Sequence, residues 1–255
     1  MIPTPSTSHV PFNKVYEPAE DSFLLLDTLS SDAEKAFLQS RFNNHQLEVK
    51  AQSSFQSRSP FIIEIGSGSG VVISFVNTNC KTIMGRTDIL TAGVDVNIFA
   101  CRATKETVRI AENEQQAIAH GLYLGNILGD LTSFLQAGQV DILIFNPPYV
   151  ASSELPKLLP LEDMGSFSCE SHLLSLSYAG GVDGTETTNR LLNSLPQILS
   201  PERGCAYVLL CAQNKPEEIK NKVKNFGSGW LVKTVGQSGN YAGWEKLQII
   251  RIWRT

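Results

Sequence analysis

The 255-residue sequence lacks any apolar run approaching the length of a membrane span, so no segment is expected to cross a bilayer. It also lacks an excess of basic residues: 21 Lys and Arg face 25 Asp and Glu, for a formal net charge of −4. Affinity built on many phosphate contacts usually needs a basic protein. Dominant nucleic-acid binding is therefore disfavoured, although a local basic patch is compatible with the composition. Cys80, Cys101, Cys169, Cys205 and Cys211 are odd in number and contain no Cys-x-x-Cys pair. They read as reduced, mostly buried thiols of an intracellular protein. His9, His45, His120 and His172 have no metal-ligand spacing, so no metal is expected and each reads as a surface or structural residue. The first residues, Met1-Ile2-Pro3-Thr4-Pro5, lack the charged-then-apolar order of a signal peptide. The expected location is the cytoplasm, with the nucleus also open. No internal repeat is visible.

An apolar fraction of 42% and a charged fraction of 18% are ordinary for a globular protein. The length suits a single α/β domain over residues 1–255. Residues 1–15 read as a surface tail. A helix follows from Phe23, with Asp21 or Ser22 near its start, and a second spans 32–42. Residues 1–42 thus form an N-terminal tail and helices. Residues 43–60, rich in Gln, Asn and Ser, read as a flexible insertion, and 61–255 as the core. Within the core, strands are expected over 61–65, 90–96, 121–127, 140–145 and 205–211, with two closing strands over 230–235 and 246–253. Helices are expected from Val71 and over 98–114, 131–135, 185–199 and 216–226. Residues 151–183 read as loop. Such alternation gives a mostly parallel sheet covered on both faces, with ligands held beyond the carboxyl ends of the strands.

Several polar landmarks sit at those ends. Glu64-Ile65-Gly66-Ser67-Gly68-Ser69-Gly70 is a glycine turn between strand and helix. Position 71 is Val, which breaks the dinucleotide fingerprint, and the Gly-Lys-Ser/Thr of a Walker loop is missing. Alone it is compatible with a tight turn and no ligand. Asp95 ends the next strand, where a carboxylate accepts both hydroxyls of a ribose or caps a helix. Asp130 ends the third, placed to accept from an adenine amino group beside the Leu131 amide or to serve as an N-cap; the two roles are compatible. After the fourth comes Asn146-Pro147-Pro148-Tyr149. Two prolines cannot donate to a sheet ladder, and the residue before each is pushed out of the helical region. The result is a stiff corner with two acceptors, the Asn146 side-chain oxygen and the Pro147 carbonyl. Tyr149 adds a flat face beside them. Few reactions need two acceptors around one neutral nitrogen; methylation of an amide or exocyclic amino group is one. The plain alternative is a rigid turn with a packed tyrosine.

In this order, 64–70, Val94-Asp95-Val96, Gly129-Asp130-Leu131 and Asn146-Pro147-Pro148-Tyr149 resemble class I S-adenosylmethionine-dependent methyltransferases. The Asn-Pro-Pro-Tyr version is shared by base amino methyltransferases and protein glutamine N5-methyltransferases. Val15-Tyr16-Glu17-Pro18-Ala19-Glu20-Asp21-Ser22 resembles the N-terminal motif of the branch that modifies release factors, in its eukaryotic and archaeal form. Gly180-Gly181-Val182-Asp183-Gly184 matches that branch's Gly-Gly-x-Asp-Gly element. The resemblance runs from residue 15 to about 184.

It implies a Rossmann-like fold: a mostly parallel seven-stranded sheet, helices on both faces and an antiparallel closing strand. It implies S-adenosyl-L-methionine as donor, S-adenosylhomocysteine as product, and no metal. Glu64 and Gly66, with Gly68 in the same turn, would line the methionine and ribose part, Asp95 would bind the ribose, and Asp130 with Leu131 the adenine. Ser22 would bond the cofactor carboxylate, and Glu20 or Asp21 would contact its methionine part or brace the first helix. Asn146 would lie against both cofactor and substrate. Asn146, Pro147 and Tyr149 would hold the acceptor glutamine, with Pro148 completing the catalytic corner. The implied substrate is the class 1 translation termination factor, alone or with its GTPase partner, methylated at the glutamine of its Gly-Gly-Gln loop. A small zinc-binding activator is the implied heterodimer partner, docking by β-augmentation on an apolar edge strand around 120–126. Rival readings are a DNA or RNA adenine N6-methyltransferase acting on a flipped base, a methyltransferase of another protein side chain, and a cofactor-binding protein with a decayed corner. The chain departs from a minimal version at 43–59 and about 80–90, expected to be surface insertions, and at 154–172, beside the substrate mouth.

Overall fold

The buried strands set the architecture. A computed structural model describes residues 2–43, 58–115, 119–157, 168–239 and 246–255. Among these, seven strands form one sheet in the order β3-β2-β1-β4-β5-β7-β6. They are β1 Phe61–Ile65, β2 Leu90–Asp95, β3 Leu122–Leu128, β4 Ile142–Phe145, β5 Cys205–Cys211, β6 Trp230–Gln237 and β7 Leu247–Arg254. β1 to β5 pair in parallel, and β7 runs antiparallel to both β5 and β6. This is the expected mostly parallel sheet with an antiparallel closing strand.

β5 is buried at every position, as a strand covered on both faces should be. Its side chains alternate between two cores. Cys205, Tyr207, Leu209 and Cys211 enter one, with residues of α1 (Glu20–Ser30), α2 (Asp32–Asn43), α3 (Val71–Thr78) and α4 (Cys80–Met84). Ala206, Val208 and Leu210 enter the other, with α7 (Glu186–Ile198) and α8 (Pro216–Lys224). α5 (Ile98–Glu114) packs beside α3. Gly70 makes that contact possible: a Cβ there would lie 2.5 Å from Thr104 Cα.

A buried charge cluster docks α2 on the sheet. Glu34 Oε2 accepts from Arg251 Nη1 at 2.5 Å and from the Tyr207 hydroxyl at 2.7 Å. The Arg251 guanidinium lies 3.5 Å from the Phe37 ring centre and 4.5 Å from that of Trp253. Burial, foremost, raises the Tyr207 phenol well above its ordinary pKa.

Several expectations are corrected. Residues 131–135 are two turns, not a helix: Leu131 has φ 49°, and the bonds from Ser133 N to Asp130 O and from Leu135 N to Thr132 O close over three residues. Within 151–183, read as loop, lies α6 (Ser168–Tyr178). The 1–15 segment is no surface tail, because Val10 and Val15 are buried against Ala100 and Ala103 of α5. The 80–90 stretch is no surface insertion either; Cys80, Ile83 and Met84 of α4 belong to the core. β4 begins at Ile142, with Val140 only bridging to Leu199. Most of 43–60 lies outside the described residues, as does 158–167 of the stretch expected beside the substrate mouth. Cys80, Cys101, Cys205 and Cys211 are free and buried as expected, and Cys169 lies outside what is described of side chains. No described helix is long and apolar enough to cross a membrane.

β3 is the sheet edge next to β2, and it exposes Leu122, Leu124, Ile127 and Leu128. Leu122 is 61% exposed, unusual for an apolar strand residue on an unpaired edge.

Candidate active site

At the carboxyl ends of β1, β2 and β4 lies a cleft of about 370 Å³. Ser22, Glu64, Gly66, Gly68, Asp95, Asp130, Leu131 and Asn146 to Tyr149 all line it. The structure thus brings these residues together in one cleft, whereas Glu20, the alternative to Asp21, is exposed and not among the lining residues. Tyr16 and Asp21 line it too, so the N-terminal segment contributes to the cleft beside Ser22.

The glycine turn is wired into the fold. Gly66 N and Ser67 N donate to Val94 O at 2.8 and 3.1 Å, binding the turn across to β2. α3 opens at Gly70, which has no side chain to cap it, and Glu64 supplies the missing acceptor: Ile73 N donates to its Oε2 at 2.9 Å. Asp95 accepts from Gly68 N and Asn97 N, both at 2.9 Å. Burial pushes the Asp95 carboxyl up to about 6, against the pull of those backbone donors. Glu64 is pushed well above the carboxylate range, by burial first and then by the Asp95 charge, while the Ile73 amide opposes. Two buried carboxylates above a glycine turn form a cradle for a ligand rich in hydroxyl and ammonium donors.

Asp130 is only partly available. Arg190 Nη2 of α7 donates to its Oδ2 at 2.5 Å. Leu131 reaches its place through a left-handed backbone, not through the first turn of a helix.

The Asn-Pro-Pro-Tyr corner is held from both sides. Asn146 Nδ2 donates to Asp21 Oδ2 at 2.9 Å. Asn146 Oδ1 is buried and has no hydrogen-bond partner among the described residues. Leaving a buried acceptor unpaired costs about 1–3 kcal/mol, so an unpaired oxygen inside a cleft marks a place for a ligand's donor. On the other side stands Asn214, a buried residue in the turn after β5. Its Nδ2 donates to Tyr149 O, Asp183 O and Gly184 O at 2.9, 3.0 and 3.2 Å, and its Oδ1 accepts from Cys211 N at 2.8 Å. Asn214 ties the corner to the Gly-Gly-Val-Asp-Gly element. That element needs its glycines because its backbone lies on the corner's: a Cβ on Gly180 would overlap the Pro148 carbonyl, and one on Gly184 the Tyr149 carbonyl. A short parallel ladder, with Val150 N donating to Tyr178 O and Gly180 N to Val150 O, then pins the end of α6, and Leu173 and Leu176 close the cleft wall.

Asp21 and Asn214 are the site residues that sequence reasoning missed in these roles. Asp21 sits in a motif, yet nothing local says that its partner lies 125 residues away. Asn214 follows a strand end, the same signal that Asp95 carries, and was open to the same reading. Among the described residues no cluster of His, Cys, Asp and Glu is arranged to hold a metal.

No family model matches the sequence. The chain is 34% identical over 257 residues to the eRF1 methyltransferase catalytic subunit mtq2 of Schizosaccharomyces pombe, covering 100% of this chain and 96% of that one. It is 33% identical over 255 residues to methyltransferase HEMK2 of Homo sapiens, covering 99% and 97%. Among solved structures it resembles the E. cuniculi Mtq2–Trm112 complex, described as responsible for methylation of the eRF1 translation termination factor. There the TM-score is 0.54 at 18% identity, with 95% of this chain and 99% of that one covered, which shows a shared class I methyltransferase fold.

Proposed function

The chain belongs to the methyltransferase family of mtq2 and HEMK2, and on that premise we propose that it methylates the N5 nitrogen of a glutamine in the Gly-Gly-Gln loop of the class 1 translation termination factor. The observation that carries this reading is the buried, unpartnered Asn146 Oδ1 at a rigid corner, in one cleft with the glycine turn and Asp95. The fold class implies S-adenosyl-L-methionine as donor. The residues present fit it: Asp95 for the ribose hydroxyls, Asp130 and the Leu131 amide for the adenine, Glu64, Gly66 and Gly68 along the methionine and ribose, and Ser22 for the carboxylate once its hydroxyl turns from Asp21 Oδ1.

When bound, the donor supplies a sulfonium-activated methyl group; the chain supplies everything else. A glutamine nitrogen is a poor nucleophile because its lone pair is delocalised into the carbonyl. Asn146 Oδ1 and the Pro147 carbonyl accept its two N–H protons. That pairing turns the lone pair out of the amide plane's conjugation, aims it along one direction and stabilises the positive charge that develops on nitrogen. The two prolines keep both acceptors at fixed spacing, so little reorganisation remains at the moment of transfer. Tyr149 presents its ring beside the planar amide. No covalent intermediate with the protein is needed.

The decisive experiment is mass spectrometry of a termination factor bearing a Gly-Gly-Gln loop after incubation with enzyme and isotopically labelled donor. A labelled methyl on the glutamine is expected. An unmodified glutamine beside labelled nucleic acid would transfer the corner to the amino group of a base.

The Asp95 carboxyl gives a pH test of the cofactor site. Ribose hydroxyls donate, so the ionised carboxylate is the binding form. With Asp95 titrating at about 6 in the free protein, donor affinity rises about tenfold between pH 5 and 7 and then levels. The same shift acts on folding with the opposite sense: stability from protonated Asp95 is full below the ordinary value of 3.8 and is lost as pH rises through about 6. Calorimetric titration of the donor across this range measures the first, and thermal melts at the same pH values the second. Retention of the full slope in Asp95→Asn would remove Asp95 from the ribose site.

We assign the small activator to the β3 edge. Its exposed Leu122, Leu124, Ile127 and Leu128 fit a partner that adds a strand to the unpaired ladder. The reading expects the chain to be poorly soluble when expressed alone and rescued by co-expression; full solubility and activity alone would remove the need for a partner.

A further inference from the structure

We propose that Asp21 is a positioning residue for the reaction: it sets the orientation of the Asn146 amide so that the oxygen, and not the NH2 group, faces the acceptor nitrogen. The proposal rests on the glutamine reading for its consequence and on geometry for its premise. A side-chain amide is nearly symmetric in shape, and which end points where is decided by its hydrogen-bond partners. One orientation gives the acceptor's N–H a lone pair. The other puts NH2 against NH2, donor against donor, and the corner cannot work.

The neighbourhood leaves no choice. A carboxylate offers acceptors only, so the group that Asn146 turns toward Asp21 must be its nitrogen. The bond from Nδ2 to Asp21 Oδ2 is 2.9 Å long. Asp21 is itself fixed: it is 2% exposed, Oδ2 also accepts from the Tyr16 hydroxyl at 3.1 Å, and Oδ1 accepts from Ser22 N at 2.6 Å and Ser22 Oγ at 3.2 Å. Four donors fill a group with about four lone-pair positions, so the carboxylate cannot rotate without losing several bonds. Its place in the first turn of α1 suits a negative charge. The same occupancy takes Asp21 out of contention as a direct ligand of the donor's methionine part, one of the two roles raised for it by resemblance. The consequence is visible on the far end of the amide, where Oδ1 is buried and unpartnered.

The test uses the full chain and two readouts, of which only the second depends on the acceptor. In spectra of ¹⁵N-labelled side-chain amides, the Asn146 NH2 pair, assigned by its disappearance in Asn146→Ala, should move in Asp21→Asn. It should stay in place in Asp27→Asn, an exposed position on the same helix. An Asn146 pair unmoved in Asp21→Asn overturns the proposal whatever the acceptor is. On the termination factor in single-turnover conditions at saturating donor, Asp21→Asn should lower the rate about a hundredfold. Combining Asp21→Asn with Asn146→Asp restores a donor behind and an acceptor in front, and should recover most of the loss. A residue that merely held the fold would show no such rescue, and a double variant no faster than the single overturns the proposal. Failure of the unaltered enzyme to methylate the factor overturns the substrate reading alone, and the amide spectra then decide on Asp21.

Discussion

Asn146→Ala should cost about 10²–10³-fold in turnover, the effect typical of deleting one pre-placed hydrogen-bonding group from a charge-stabilising site, while donor affinity stays close to that of the unaltered protein. The split follows from where the atoms are. Oδ1 has no partner within the described fold, so its removal takes nothing from the resting protein on that side. It takes from the acceptor nitrogen one of two groups that hold its protons as positive charge grows. The glycine turn and Asp95, which carry the proposed donor contacts, are bonded to β2 and Asn97 and do not lean on Asn146. Asp95→Ala should show the converse, weak donor binding with turnover recovered at saturation. Calorimetry for affinity and single-turnover kinetics for rate separate the two. Unaltered turnover in Asn146→Ala would end the assignment of the corner, and loss of donor binding in it would move Asn146 from the acceptor to the donor.

Glu34→Ala should destabilise the fold by about 3–5 kcal/mol, because it strands the Arg251 charge in the interior. For a chain of this size the loss is a fall in Tm of about 6–20 °C. Glu34 Oε2 is the shared acceptor for Arg251 Nη1 and the Tyr207 hydroxyl, and Arg251 Nε already lacks a partner among the described residues. With the carboxylate gone, the Phe37 and Trp253 rings remain, and cation–π attraction of about 2 kcal/mol replaces only part of what is lost. The cluster nevertheless does not make the fold stable in the sense of being better than grease. Removing all its polar atoms together, as in Glu34→Leu with Arg251→Met and Tyr207→Phe, should bring stability back to the starting level or above it. Thermal melts of the single and triple variants test this. A single variant within about 1 kcal/mol of the unaltered protein would show that water reaches Arg251 and that α2 is less tightly docked than its geometry says.

Most of the sheet was legible because central parallel strands are written as short runs of apolar residues between turns, and Phe61–Ile65 and Cys205–Cys211 are bounded as their patterns suggest. What was illegible has physical causes. Leu131, Phe134 and Leu135 imitate a helical stripe, yet the left-handed backbone at Leu131 and closure over three residues make turns of it. α6 carries serines at Ser168, Ser171, Ser175 and Ser177, a composition suited to loops, and it is a helix because Leu173 and Leu176 meet the cleft. Val10 and Val15 sit among prolines and polar residues, and only α5 supplies the small Ala100 and Ala103 that let them be buried. For the site, strand-end polar residues were readable from position alone. The bonds from Asn146 to Asp21 and from Asn214 to Tyr149 cross 125 and 65 residues, and contacts so remote leave no period in a sequence.

The order of the last strands also bears on how the protein is made. Among the described residues β6 pairs only with β7, and β7 separates it from β5, so Trp230–Gln237 is synthesised before the strand that receives it. Until Leu247–Arg254 is available, β5, buried along its whole length in the finished fold, is a bare edge, and α2 lacks Arg251, the cation that its Glu34 pairs with. A nascent chain halted in between has two unpaired ladders open to strangers, β3 on one side and β5 on the other. Such a chain is the form most exposed to aggregation and the natural client of a chaperone.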